Sequence, residues 1–263
     1  MKITIIIANL LILVSCSSQP ETPLIPEEGS ISFKRDIKII DQKLVDSTYS
    51  RSLNKVLEHS RNSSVGIIKE IAVSRRSKNL GMQKIIDMQN MSKDAFKKTC
   101  HPNFMDKDLV NTFSFELGLI LYAHTAKGSK SESCVIDPVN ETITPLIRDK
   151  KNKVIKCMPT KYNYRNTHDF CITEYRNDTK VIHGYNCFKI LLEINNPVPI
   201  AKELPRVKEK YIMYVTEEII FKYHPIIRYK EVLEKYYPLE VIETSDLIEG
   251  YEKIYTLTEM TLK

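Results

Sequence analysis

The sequence predicts an α+β fold, an antiparallel sheet with helices covering one face. Three observations carry that expectation. Short runs alternate apolar with polar residues and are separated by turn residues. Helical spacing is concentrated between about residues 41 and 125, ahead of a β-rich stretch at 130–263. Twelve of the fourteen tyrosines fall after residue 160, where aromatic side chains suit a pleated surface. A chain of 263 residues suits one large domain or two small ones, and we read residues 29–263 as a single domain.

Element by element, Ile31, Phe33, Ile37 and Ile39 alternate with polar residues, broken only by Arg35, so a half-buried strand is expected over 30–40. Asp46 or Ser47 then caps a helix bearing Tyr49, Leu53, Val56 and Leu57. A second helical stripe follows at Val65, Ile68, Ile71 and Ala72, a weaker one at Met82, Ile85 and Ile86, and a short turn from Ser92 through Lys98. The Met82, Met88 and Met91 cluster reads as core filling. Residues 106–124 fit two patterns. Phe113, Phe115, Leu117, Leu119, Leu121 and Ala123 alternate as in a strand, while Leu109, Phe113, Leu117, Ile120 and Leu121 make a helical stripe.

Beyond residue 130 the pattern is β. Ser133–Asp137 and Glu141–Ile147 form one hairpin, and Asp169–Tyr175 and Lys180–Ile194 another, turning at Asn177-Asp178. Phe188, Ile190, Leu192 and Ile194 share a face of the latter. Pro197, Pro199 and Pro205 mark a loop, and Lys210–Thr216 is a strand. Ile226, Tyr229, Leu233, Tyr236 and Tyr237 space as a short helix stopped by Pro238. Leu239–Glu243 and Gly250–Leu262 close the chain as an antiparallel pair.

Composition excludes several activities. Only seven glycines occur, never within three residues of one another, so no dinucleotide fingerprint or phosphate loop can be written. HExxH, GxSxG and kinase motifs are also lacking. A net charge of +6 on this length is too dilute for nucleic-acid binding, and none is expected. The densest basic run, Arg148 to Lys156, reads as a solvated turn. His183 and His224 read as surface or satisfied histidines, and Glu217-Glu218 as a solvated turn.

The amino terminus is the most informative segment. Lys2 precedes an apolar run from Ile3 to Val14, broken only by Thr4 and Asn9. About a dozen residues is too short to span a bilayer, which needs roughly 20, and fits an export signal. The run ends Leu13-Val14-Ser15-Cys16, which resembles a bacterial lipobox. That resemblance makes residues 1–15 a signal peptide and Cys16 the first mature residue, carrying covalent diacylglycerol and an N-acyl chain. No other cofactor and no metal is expected. Two or three acyl chains anchor firmly where one is marginal.

Residues 16–28 then hold Pro20, Pro23 and Pro26 and little to bury, giving a tether of about 3.1 Å per residue. Ser17 and Ser18, with no aspartate beside them, resemble the pattern of lipoproteins sorted to the outer membrane, here facing the periplasm. The tail is similar to those of Bacteroidota lipoproteins.

Cys100, Cys134, Cys157, Cys171 and Cys187 remain, in an oxidising compartment. They allow two disulfides in several pairings, between which the sequence does not choose. Cys157, His168, Cys171 and Cys187 lack the short ligand pairs of a structural zinc site. A Cys171/His168 nucleophile has no third group to orient it, so no catalytic residue is assigned.

The last third resembles a known family. Ile182-His183-Gly184-Tyr185-Asn186-Cys187-Phe188-Lys189 matches the I-x-G-Y-x-C-x-K signature of the GLPGLI family and related envelope domains of unknown function. Tyr211 to Ile219 is similar to the aromatic strand and acidic turn that follow it, and Tyr237-Pro238-Leu239-Glu240 stands where the namesake loop would fall. The resemblance spans residues 168–263, with Gly184, Tyr185, Cys187 and Lys189 as its structural or ligand-facing positions. It implies a curved, half-barrel-like antiparallel sheet. Such a sheet binds a hydrophobic ligand if its concave face is open, or an envelope protein if that face is filled.

Overall fold

Alternation prevails wherever it competes with helical spacing. The computed structural model describes residues 26–71, 93–94, 96–126, 129–149, 153–165, 169–196 and 207–263. Its first half comprises β1 (Gly29–Ile39), α1 (Gln42–Ile71), helical residues at 93–94 and 96–100, β2 (Leu109–Glu116), β3 (Leu119–Ala126), β4 (Ser129–Asp137) and β5 (Thr142–Arg148). The second half adds β6 (Val154–Lys156), β7 (Thr160–Lys161), β8 (Phe170–Ile182), β9 (Tyr185–Asn196), β10 (Val207–Thr216), α2 (Lys230–Leu233), β11 (Tyr237–Ser245) and β12 (Tyr251–Leu262). The signal and lipobox residues, the methionine cluster, His168 and the Pro197–Pro205 loop lie outside the described residues.

All twelve strands belong to one antiparallel sheet, ordered β6-β5-β4-β3-β2-β1-β12-β11-β10-β9-β8, with β7 also on β5. First and last strands meet in its middle: β1 pairs with β12 from Gly29↔Leu262 to Ile39↔Tyr251. Two meanders extend outward from that seam. The sheet is open, with β8 at one end and the short β6 and β7 at the other.

Several expectations are corrected. Residues 109–126 form the β2–β3 hairpin, because Asn111, Phe113, Phe115 and Ile120 can then bury on one face; the β-rich part therefore starts at Leu109 and not at 130. The stripes at 46–57 and 65–71 belong to one helix, and its cap is Asp41, whose carboxylate accepts from the Leu44 amide at 3.0 Å. The β8–β9 turn is His183-Gly184, both at positive φ, as a two-residue mirror-image turn requires. Arg176, Asn177 and Asp178 instead form an unpaired bulge within β8, between Tyr175↔Lys189 and Thr179↔Phe188. Pro238 does not stop a helix: it lies in β11, opposite Val215 at a register shift where a missing N–H is tolerated.

Two apolar clusters cover the sheet's inner face. The larger draws on Ile31, Phe33, Phe113, Ile136, Ile190, Leu192, Met213 and Val241, all 2% exposed or less. It is filled from above by residues 217–236, an irregular strap whose Ile219, Phe221, Ile227, Tyr229 and Val232 are buried in it. The strap reaches from Phe115 on β2, 5.3 Å from the Phe221 ring, to Phe188 on β9, 5.7 Å from the Tyr236 ring. The smaller cluster packs Val45, Leu53 and Val56 of α1 against Phe96, Met105, Ile248 and Tyr251. Gly250 permits this approach. Its carbonyl accepts from the Ile40 and Asp41 amides, and a Cβ would lie 2.5 Å from the Asp41 oxygen.

One buried side chain pins the strap. His224 is 1% exposed, with its ring 4.7 Å from Phe33 and 5.0 Å from Tyr237. Its Nδ1 accepts from the Ile226 and Ile227 amides, both at 3.0 Å, which leaves Nε2–H to donate to the Pro238 carbonyl at 2.9 Å. The ring is therefore neutral, and burial lowers its pKa to about 3. Below about pH 6.5 the unfolded chain takes up a proton that the folded chain refuses until near pH 3. Stability is thus full above pH 6.5 and falls with acidification, by up to about 1.4 kcal/mol per pH unit. His224→Asn keeps an acceptor for the two amides; in urea unfolding it should lose about 2 kcal/mol at pH 7 yet weaken less than the native protein between pH 7 and 5.

Candidate functional site

Strand alternation sets Tyr185, Cys187 and Lys189 on the face opposite Phe188, Ile190, Leu192 and Ile194. Cys187 is nonetheless buried, at 2% exposed, and counts with Phe188 in the larger apolar cluster, against which Tyr185 also packs; of the three, Lys189 carries its charge on the outer side, near the Gly184 turn. Lys189 Nζ pairs with Asp178 at 2.7 Å, and Asp178 also accepts from the Tyr214 hydroxyl at 2.9 Å. The Tyr214 ring lies 3.8 Å from Lys180 Nζ, and Lys180 pairs with Glu240 at 2.7 Å. The hydrogen bond from Lys189 and that from Tyr214 hold the Asp178 carboxyl below its usual range. These contacts tie the β8 bulge to β9, β10 and β11. Two positive charges meet two negative ones, so the cluster is a clamp on the hairpin with no charge left for an ionic ligand.

The remaining predicted residues are dispersed. All five described cysteines are free thiols, so the disulfides entertained from sequence are not formed. Strand placement explains why: Cys134 is on β4, Cys171 on β8 and Cys187 on β9, and Cys157, bonded through its amide to Pro145, lies across β5 from Cys134. Burial raises the Cys134 and Cys187 thiols to about 11 and also raises Cys100, so these stay protonated and poorly nucleophilic. Cys171 is exposed on the β8 edge. His183 is an exposed turn residue, and His224 is the satisfied core histidine described above. Glu217 and Glu218 are not merely solvated: Glu217 pairs with Arg176 at 2.8 Å, and Glu218 accepts from the Asn186 amide at 2.9 Å. At the ends of the basic run, Arg148 on β5 pairs with Val154 on β6 and the Lys153 amide donates to Asp149 at 2.9 Å; residues 150–152 lie outside the described residues.

Sequence reading missed a second polar cluster, on the inner face near the β10–β12 ends. Glu243 and Lys253 face each other across β11 and β12 and pair at 2.6 Å, with side chains 16% and 21% exposed. Burial alone would push the Lys253 amine down, but the Glu243 carboxylate outweighs it and holds the amine above its ordinary value. Burial, reinforced by Glu243, raises Tyr255 to about 12. Alongside, Glu209 accepts from Tyr211 at 2.9 Å and Tyr229 at 3.1 Å, and Arg165 Nη1 donates to the same two phenols at 3.2 and 3.3 Å. The signal that could have found it was Glu209, Glu243 and Lys253, charged residues that stand at apolar positions of the strand alternation. Among the described residues, no three His, Cys, Asp or Glu side chains gather as metal ligands.

No protein-family model matches the chain, and a comparison with curated proteins finds no match either. The functional reading therefore rests on the residues themselves. Both polar clusters are balanced in charge and short of a reactive group, which marks them as structural. The Lys253–Glu243 pair should behave as a buried ion pair. Lys253→Met should destabilise by about 2–3 kcal/mol, and adding Glu243→Gln should recover most of that, as read by a double-mutant cycle in urea.

Proposed function

We propose that the chain is a bacterial envelope lipoprotein, anchored by acyl chains on Cys16, whose sheet domain works by contact and not by catalysis. One observation carries the reading: Leu13-Val14-Ser15-Cys16 ends a short apolar run that follows Lys2 and precedes a proline-punctuated tether. Its place is the outer membrane, facing the periplasm. Among the described residues no helix is long and apolar enough to cross a membrane, which is compatible with a lipid anchor.

The geometry favours a structural or protein-interaction role over carriage of a hydrophobic ligand inside the sheet. In the half-barrel view, the sheet curves around the larger cluster with the strap and α1 as cover, and the concave space belongs to side chains. Tyr229, Val232, Ile227 and His224 occupy the volume a lipid would need, each 1% exposed or less. The protonated Cys134 and Cys187 thiols and the paired carboxylates support the non-enzymatic part of the proposal.

Cells grown with labelled palmitate test the anchor. The native protein should carry label and partition with membranes, and Cys16→Ala should lose both. Label retained on the Cys16→Ala protein would contradict the proposal.

A further inference from the structure

The fold carries an apolar projection that its packing does not use. The β2–β3 turn consists of Leu117 and Gly118, both at positive φ, +52° and +74°. Asparagine, aspartate or glycine ordinarily holds the first of these positions, because they tolerate left-handed backbone. Here a leucine holds it, 99% exposed, unfavourable both for the backbone and for hydration. The neighbouring β4–β5 turn exposes Val139 at 86%, and Leu119 and Ile220 are exposed as well. A cleft of about 340 Å³ lies among them, lined by Leu117 and Leu119 with Phe115, Pro26, Pro138 and Phe221, the last two being chain neighbours of Val139 and Ile220. The apolar tips thus cluster where the chain enters the fold. Pro26 stands ten positions after Cys16, so at about 3.1 Å per residue the tip lies within roughly 30 Å of the anchored cysteine.

We propose that Leu117, Leu119, Val139 and Ile220 dock into the hydrocarbon boundary of the bilayer that holds the Cys16 acyl chains. The inference rests on the anchor reading above. The tips supply insertion, and the short tether supplies an effective concentration at which weak insertion suffices. Charge selects the lipid. Glu27 and Glu28 line the cleft and Glu116 and Glu141 flank its turns, with Lys222 nearby, so zwitterionic headgroups are favoured over anionic ones. The domain then lies against the membrane with its tip and does not swing on the tether.

The protein has no tryptophan, so Leu117→Trp supplies a single reporter. Lipidated protein is reconstituted into phosphatidylcholine vesicles brominated near the headgroup end of the acyl chains. Val181→Trp, on the exposed β8 edge, is the control. L117W emission should shift to the blue and be quenched several-fold more than that of V181W, and the quenching should weaken when half the lipid is phosphatidylglycerol. Adding Val139→Glu and Ile220→Glu should return L117W to the control level; undiminished quenching would mean that the tryptophan inserts by itself, and would overturn the inference. Protein that floats with the vesicles while L117W stays unquenched overturns the docking and leaves the anchor intact. L117W shielded from an aqueous quencher yet unquenched by the brominated lipid would assign the tip to a protein partner or a second copy instead. Protein that does not float removes the anchor, and the docking with it.

Discussion

A neutral histidine sealed from water governs how the inner face of this sheet is used. His224 gives its one proton to the Pro238 carbonyl and takes two backbone amides on its other nitrogen. That set of bonds turns an irregular, proline-containing stretch into a fixed layer of core. Without it, residues 217–236 would have to bury several backbone groups unpaired, each costing about 1–3 kcal/mol. With it, Ile219, Phe221, Ile227, Tyr229 and Val232 occupy the space that a curved sheet would otherwise offer to a ligand. Whether the inner face is core or cavity therefore turns on the pinning of the strap.

The strap closes over a sheet that is assembled from its two chain ends. Because β1 and β12 pair along nearly their full lengths, neither meander can be complete without the other. The same seam brings Pro26 beside the β2–β3 turn, since β1 begins opposite the end of β2, with Gly29 paired to Phe115. Chain entry and the exposed turn tips thus share one region. On the inner face Lys253 is matched with Glu243, and on the outer face Lys189 with Asp178, so neither pair leaves a charge uncompensated. The β8 edge is protected in a similar way. Its bulge and the charged Glu174, Arg176 and Lys180 make it a poor template for further strands.

Much of the sheet was legible in the sequence because alternation reports burial directly. The strands around Ile31, Ile136, Ile190, Met213 and Val241 were found from that pattern, and so was the final antiparallel pair. Four features were not legible, each for a physical reason. Residues 109–126 satisfy both periods, and the choice is made by burial against β1, a tertiary fact. Pro238 reads as a helix stop in isolation, yet a bulge opposite Val215 removes the need for its missing donor. The strap shows helical spacing only from Ile226 onward, of which Lys230–Leu233 alone is helix, and its other apolar residues are buried from an irregular backbone. The inner polar cluster was hidden because Glu209, Arg165 and Tyr229 meet only when β10, the segment after β7 and the strap converge. Of the motif residues, Gly184 lies in the β8–β9 turn, Lys189 pairs with Asp178, and Cys187 is buried in the core.

The central claim is that residues 217–236 are core and not a lid. Native-state hydrogen exchange at the Ile226 and Ile227 amides, both bonded to His224, tests it most directly. If the strap is core, these amides exchange only with global unfolding, at a free energy equal to that from denaturant unfolding. If they exchange by a local opening of much lower free energy while β10 and β11 stay protected, the strap is a lid over a ligand space and the account is wrong.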